Sequence, residues 1–238
     1  MKFLLLLLSI QAYAAPKTIC GGDDRTFSNV KEVARAVKPE AEIGCTLTMI
    51  GRSCAVSAGH CWRDLQIVQF NMYLDKDKLI SAAEDTYLVD AGTKVVTDAG
   101  EGKDWSVVRV LKNEITGAWP GDVQGTLPVN MTSLPQAGDE ISITGFGWLS
   151  NTHMKNSPQQ THTNKIGSVY KSVIGHLVDT MGGNSGSSLV NAQGEIIGIH
   201  THGGCSSSGG HNKATLLYRS EAFKKAIIAC LEWEKTSL

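Results

Sequence analysis

A series of short apolar or alternating runs, at residues 45–50, 54–57, 67–73, 93–97, 106–110, 140–145, 165–173, 187–190 and 195–200, is separated by Gly, Pro, Asn and Asp. Successive side chains alternate across a strand, so short runs of this kind between turn residues predict an all-β chain, and their close spacing argues for barrels. One segment breaks the pattern. Phe223, Ile227, Ile228 and Leu231 recur at helical spacing after Ser220, a residue suited to a helix cap, so a helix is expected over 220–234. Between 112 and 136 Pro and Gly rise without a strong period, which reads as a connection between two halves. No internal repeat is visible.

The 238 residues, 42% hydrophobic and 19% charged, suffice for one or two compact units and exclude a low-complexity segment. Formal net charge is −1 with Lys and Arg scattered, which favours neither a nucleic-acid nor an anionic-membrane partner. The start reads as a secretory signal. Met1-Lys2, an apolar run over 3–10 and Ala12-Tyr13-Ala14 match its three regions, so cleavage is expected after Ala14 and an exported protein with it. No later stretch approaches the roughly 20 apolar residues of a membrane-spanning helix. Six cysteines fit an oxidising compartment and allow 15 pairings in principle.

Chemistry concentrates in three segments. Gly182-Gly183-Asn184-Ser185-Gly186 sets one hydroxyl among residues with almost no side chain, where the amides of Gly183 and Ser185 can point at one spot. A serine hydroxyl is a poor nucleophile at its own pKa and needs a base oriented by a carboxylate. Ser57-Ala58-Gly59-His60-Cys61 offers the base. Gly102-Lys103-Asp104-Trp105 offers the acid; Asp98 and Glu101 lie close by, but the apolar run from Val107 to Val110 behind Asp104 reads as a strand that could fix its carboxylate. Alone, a Gly-x-Ser-Gly is usually a turn and a His beside Cys usually core. Their agreement in order makes the bland readings improbable.

These segments resemble the chymotrypsin-fold serine endopeptidases, whose histidine segment ends in Ala-(Ala/Gly)-His-Cys and whose nucleophile sits in Gly-Asx-Ser-Gly. The chain order His60, Asp104, Ser185 is that family's, and the resemblance spans roughly residues 19–230. It implies two six-stranded antiparallel β-barrels with a C-terminal helix. The boundaries expected are a signal at 1–14, a short propeptide at 15–18 and a peptidase domain at 19–236, with the first barrel at about 19–118, the connection and second barrel at about 119–219, and the helix at 220–234. It also implies His60 as general base, Asp104 as its orienting partner, Ser185 as nucleophile and the Gly183 and Ser185 amides as oxyanion hole, with no metal or cofactor. Protein or peptide substrates and a monomer are expected. Cys45 and Cys61 match the family's disulfide around the catalytic histidine, a closure of about 3 kcal/mol on the chain-entropy model. Cys20, Cys54, Cys205 and Cys230 keep three possible pairings, with a lean to Cys54–Cys230 and Cys20–Cys205.

The serine segment departs from the trypsin pattern. Asn184 stands where that branch has the Asp that ion-pairs with a newly freed N-terminal amine, so activation by that pair is not expected. The segment is closer to the bacterial glutamyl endopeptidases, which seat a glutamate side chain with a Thr five residues before the serine and a His fifteen after it, here Thr180 and His200. Asp179, six residues before Ser185, supports the alternative of cleavage after Lys or Arg. A metal site from His200, His202, Cys205 and His211 is disfavoured because Cys205 is expected in a disulfide. His153, His162 and His176 are assigned to the surface by default. A second class stays open: relatives that keep the fold as binding proteins or restricted toxins.

Overall fold

The computed structural model describes residues 18–41, 43–75, 78–149 and 158–237; the expected signal segment and His153 lie outside these residues. Seven antiparallel strands make the first sheet: β1 (Val33–Val37), β2 (Cys45–Met49), β3 (Cys54–Ser57), β4 (Ile67–Gln69), β5 (Thr86–Leu88), β6 (Val95–Asp98) and β7 (Asp104–Arg109). They lie in the order β5-β4-β1-β2-β3-β7-β6. The sheet curls until the ends of β5 and β7 meet at one bridge, Val89 to Val110.

The second sheet has a short strand at Thr26–Phe27 on its edge and six more: β8 (Glu140–Gly145), β9 (Gln160–Tyr170), β10 (Val173–His176), β11 (Ser188–Asn191), β12 (Ile196–His202) and β13 (Asn212–Leu216). Their ring β9-β8-β11-β12-β13-β10 closes through regular β9–β10 pairing. Of the expected pair of six-stranded barrels, the second is a closed six-stranded ring, and the first is a curled sheet of seven strands whose edges meet at a bridge.

Each barrel has its own apolar core, with Leu47, Val56, Val68 and Phe70 in the first and Ile141, Ile174, Leu189 and Leu216 in the second. The C-terminal helix, Glu221–Ser237, packs on the first barrel, where Phe223 stacks on Trp105 at 4.9 Å. Ile228, expected on its apolar face, is 44% exposed. Disulfides join Cys45 to Cys61, Cys54 to Cys230 and Cys20 to Cys205. Among the described residues no helix is long and apolar enough to cross a membrane.

The run at 165–173 is not one strand, because Lys171 turns with φ 49° and divides β9 from β10. The N-terminal segment belongs to the second barrel, against the expected first-barrel boundary at 19: Thr26 and Phe27 pair with Thr161 and Gln160 of β9.

Candidate active site

His60 opens a single helical turn, His60–Arg63, directly after β3, and the Cys45–Cys61 disulfide ties that turn to β2. Gly59 is packed so closely on the Thr97 carbonyl that no side chain fits there. Asp104, the first residue of β7, is fully buried. Its Oδ1 accepts from the amides of Gly59 at 2.6 Å and His60 at 3.0 Å, and its Oδ2 lies 2.6 Å from His60 Nδ1. Thr215 Oγ1 donates to the Asp104 carbonyl at 2.8 Å, anchoring this residue to the second barrel. The hydrogen bond to Asp104 raises the His60 pKa against the opposing effect of burial. Burial pushes Asp104 up, but its bonds to His60 and the two amides outweigh this and hold it below the usual carboxylate value. Neither neighbouring acid competes for this position, since Asp98 pairs across from Asp104 on β6 and Glu101 binds Lys213 at 2.8 Å.

Ser185 lies across the barrel interface. Its carbonyl accepts from Thr46 N at 2.8 Å and lies 3.8 Å from Cys61 Sγ, which brings the serine loop against the residue following His60. Among the described residues the Ser185 and His60 side chains share no hydrogen bond, and such contacts commonly tighten only with substrate bound. Gly183 has φ 106° and backs onto the Phe146 carbonyl, and Gly186 has φ 89° and backs onto Thr46, so both positions demand glycine. The Gly182 carbonyl accepts from Trp148 N at 3.0 Å and the Gly183 carbonyl from Thr46 Oγ1 at 2.9 Å. With those carbonyls held, the Gly183 and Ser185 N–H groups donate to no described residue. Two adjacent free amides can receive one oxygen carrying negative charge.

Close in sequence to this loop or hydrogen-bonded to it lie the buried side chains of Thr180 and His200. Thr180 is fully buried, and its Oγ1 has no hydrogen-bond partner. His200 Nδ1 is 3.1 Å from Nε2 of His176, and both rings are buried. Burial, then the nearby His60 and His202, pushes the His200 pKa down to about 3, and burial followed by His200 pushes His176 well below its ordinary value. Both rings are therefore neutral at pH 7. Asp179 is committed elsewhere: its oxygens accept from Cys20 N at 2.7 Å and Asp24 N at 3.0 Å. The Thr18 carbonyl accepts from Thr180 N and Asn212 Nδ2.

Sequence reasoning missed several of these contributors. His176 is fully buried in β10, not at the surface, and His162 is largely buried with Nδ1 accepting from Asp179 N at 2.8 Å. Asn212, Thr46 and Thr215 also gave no signal; a histidine inside an apolar run, as in Val173-Ile174-Gly175-His176, was the only available clue. Cys205 is disulfide-bonded to Cys20, which removes it from the weighed metal set.

The trypsin family model matches residues 19–227. No curated protein matches the sequence. Among solved structures, a Glu endopeptidase in complex with MPD superposes with a TM-score of 0.69 at 19% identity, covering 90% of this chain and 100% of that one. Neuropsin, a serine protease expressed in the limbic system of mouse brain, superposes with a TM-score of 0.66 at 17% identity, covering 84% and 95%. With the family's segments in order and its fold around them, the chain belongs to the trypsin family of serine endopeptidases.

Proposed function

We propose that this serine endopeptidase is exported and cleaves peptide bonds after glutamate, with His60, Asp104 and Ser185 as its triad. His60 takes the proton of Ser185 Oγ as that oxygen attacks the scissile carbonyl, then gives it to the leaving amine. Asp104 fixes the imidazole tautomer and stabilises its charged form. The Gly183 and Ser185 amides receive the oxyanion, each such donor typically contributing about 3 kcal/mol to the transition state. An acyl-enzyme on Ser185 results, and water activated by His60 releases it.

The observation that carries the acidic preference is the division of labour between Asp179 and Thr180. The Asp179 carboxylate is held by two backbone amides, while the neighbouring buried hydroxyl of Thr180 has no partner. A glutamate carboxylate accepting from Thr180 Oγ1 and from His200 Nε2–H would satisfy both donors. The tautomer this requires has His176 donating from Nε2 to His200 Nδ1. Cleavage after Lys or Arg would instead require the Asp179 carboxylate, held by those two amides, to reach the substrate cation.

The test is a panel of peptides with Glu, Asp, Lys, Arg or Phe before a chromogenic leaving group. Glu is expected fastest; faster Lys or Arg cleavage would return the pocket to Asp179. A serine-directed fluorophosphonate is expected to label Ser185, and a mature protein that stays unlabelled would instead be a non-catalytic relative.

A further inference from the structure

Arg25 is a buried cation that the triad and pocket leave unused. Its side chain is 3% exposed; Nε and Nη2 bind Asp23 at 2.8 and 2.7 Å, and Nη2 also donates to the Trp148 carbonyl at 2.7 Å. Nη1 is buried without a hydrogen-bond partner and lies against Gly147, where an added side chain would strike both Nη1 and Asn184 Oδ1. The guanidinium thus sits at the back of the serine loop, carried there by the N-terminal segment.

From it a line of main-chain contacts runs forward to the reacting centre. Arg25 holds the Trp148 carbonyl, and the Trp148 N–H donates to the Gly182 carbonyl at 3.0 Å. The Trp148 indole also covers Gly182, whose missing side chain would meet it at 3.5 Å. A peptide unit is planar and trans, so a Gly182 carbonyl fixed toward Trp148 turns the Gly183 N–H to the opposite side. Were that unit to rotate, the oxyanion would face a carbonyl oxygen instead of a donor.

We infer that Arg25 is a positioning residue for the oxyanion hole, acting through the Trp148 main chain on the Gly182–Gly183 peptide. This rests on the Gly183 and Ser185 amides being that hole. Asn184 carries no charge to recruit a freed amine, and the guanidinium supplies a cation within the chain at the same loop. Assembly of the hole therefore depends on docking of the Arg25 segment.

The mature enzyme, R25A and R25K should be compared in three assays: hydrolysis of the preferred peptide, binding of a peptide aldehyde whose hemiacetal with Ser185 carries an oxyanion, and binding of the product acid. For R25A, kcat is expected to fall roughly ten- to a hundredfold with KM within about twofold, and aldehyde affinity to fall by the same factor while product affinity holds. R25K, which keeps a donor for the Trp148 carbonyl, should lie between. An unchanged kcat, or parallel losses of aldehyde and product binding, would overturn the inference. Should R25A fail to fold, R25K carries the test on the aldehyde-to-product ratio alone. The failures are separable: an unlabelled wild-type Ser185 sinks the site itself, whereas an active wild type with an unaffected R25A sinks only the role of Arg25.

Discussion

His60 on the first barrel and His200 on the second stand close enough for the charge of one to bear on the other, yet their surroundings set them in opposite directions. His60 has Asp104 against Nδ1 and is eased toward its charged form. His200 has a second neutral imidazole against Nδ1 and is held uncharged by burial. Exposure and partner together decide the outcome: a half-exposed ring bonded to a carboxylate is raised against burial, and a fully buried ring with no carboxylate bonded to it is lowered. The first arrangement suits proton transfer. The second suits recognition of an anion without adding a cation next to the base.

The strongest way to break this contrast is to make the two partners alike. Asp104→Asn removes the charge beside His60 and allows the wrong tautomer; kcat should fall by about 10⁴-fold, the size established for this substitution in the family's type enzyme. Because Asp104 raises the His60 pKa, the acid limb of kcat/KM in the wild type should lie above pH 6.5 and move lower in the variant. A limb that stays in place would show that Asp104 does not set the base.

A smaller effect is expected on the recognition side. Thr180→Ala or His200→Ala should lower kcat/KM for Glu peptides by about tenfold to a hundredfold, the worth of one hydrogen bond to a charged group, and leave Phe peptides nearly unchanged. With His200 neutral down to about pH 3, Glu-over-Gln selectivity should hold between pH 8 and 5 and decline only as the substrate carboxylate protonates near 4.3. Equal losses on Glu and Phe peptides would assign these residues to architecture.

The mildest effect is on stability. His176 and His200 have folded pKa values below the unfolded one, so the unfolded chain binds more protons as pH falls below 6.5, and stability present above that pH is lost. His60 runs the other way, its contribution complete in acid and lost as pH rises through its raised value. Melting of the inactive S185A protein should therefore show a loss of about 2 kcal/mol from His200 by pH 5, with a further loss from His176, before the carboxylates titrate. His200→Gln should reduce that slope, and a flat profile would mean that water reaches the pair.

Short motifs were legible in sequence because the proposed chemistry needs them contiguous: Ala58-Gly59-His60-Cys61 holds the proposed base, close-packed glycine and disulfide together, and Gly182 to Gly186 holds the two proposed oxyanion amides and the hydroxyl. Strands with an unbroken apolar run were legible too. β1 was not, because Arg35 interrupts it; its guanidinium is buried on Gln69, 34 residues away, and burial lowers its pKa to about 10. The β9–β10 turn was hidden because Lys171 takes its positive φ without Gly, Pro, Asn or Asp to announce it. The His176–His200 and Arg25–Trp148 contacts join residues 24 and 123 apart through folded main chain, a relation that no local pattern encodes.

The single bridge between Val89 and Val110 sets where this molecule opens first. The main-chain bonds from Asp90 N to Arg109 O and from Leu111 N to Leu88 O flank it, with side-chain bonds from Asn113 to Thr86 and from Arg109 N to Thr93 beside them, against the regular β9–β10 pairing of the other barrel. The Asp90 and Leu111 amides should exchange with deuterium sooner than the amides of β2 and β3, in a local fluctuation well short of global unfolding. Because Asp104 sits at the far end of β7 from that seam, bonded to Gly59, His60 and Thr215, the seam should open without disturbing it, and warming should loosen this edge before it costs activity.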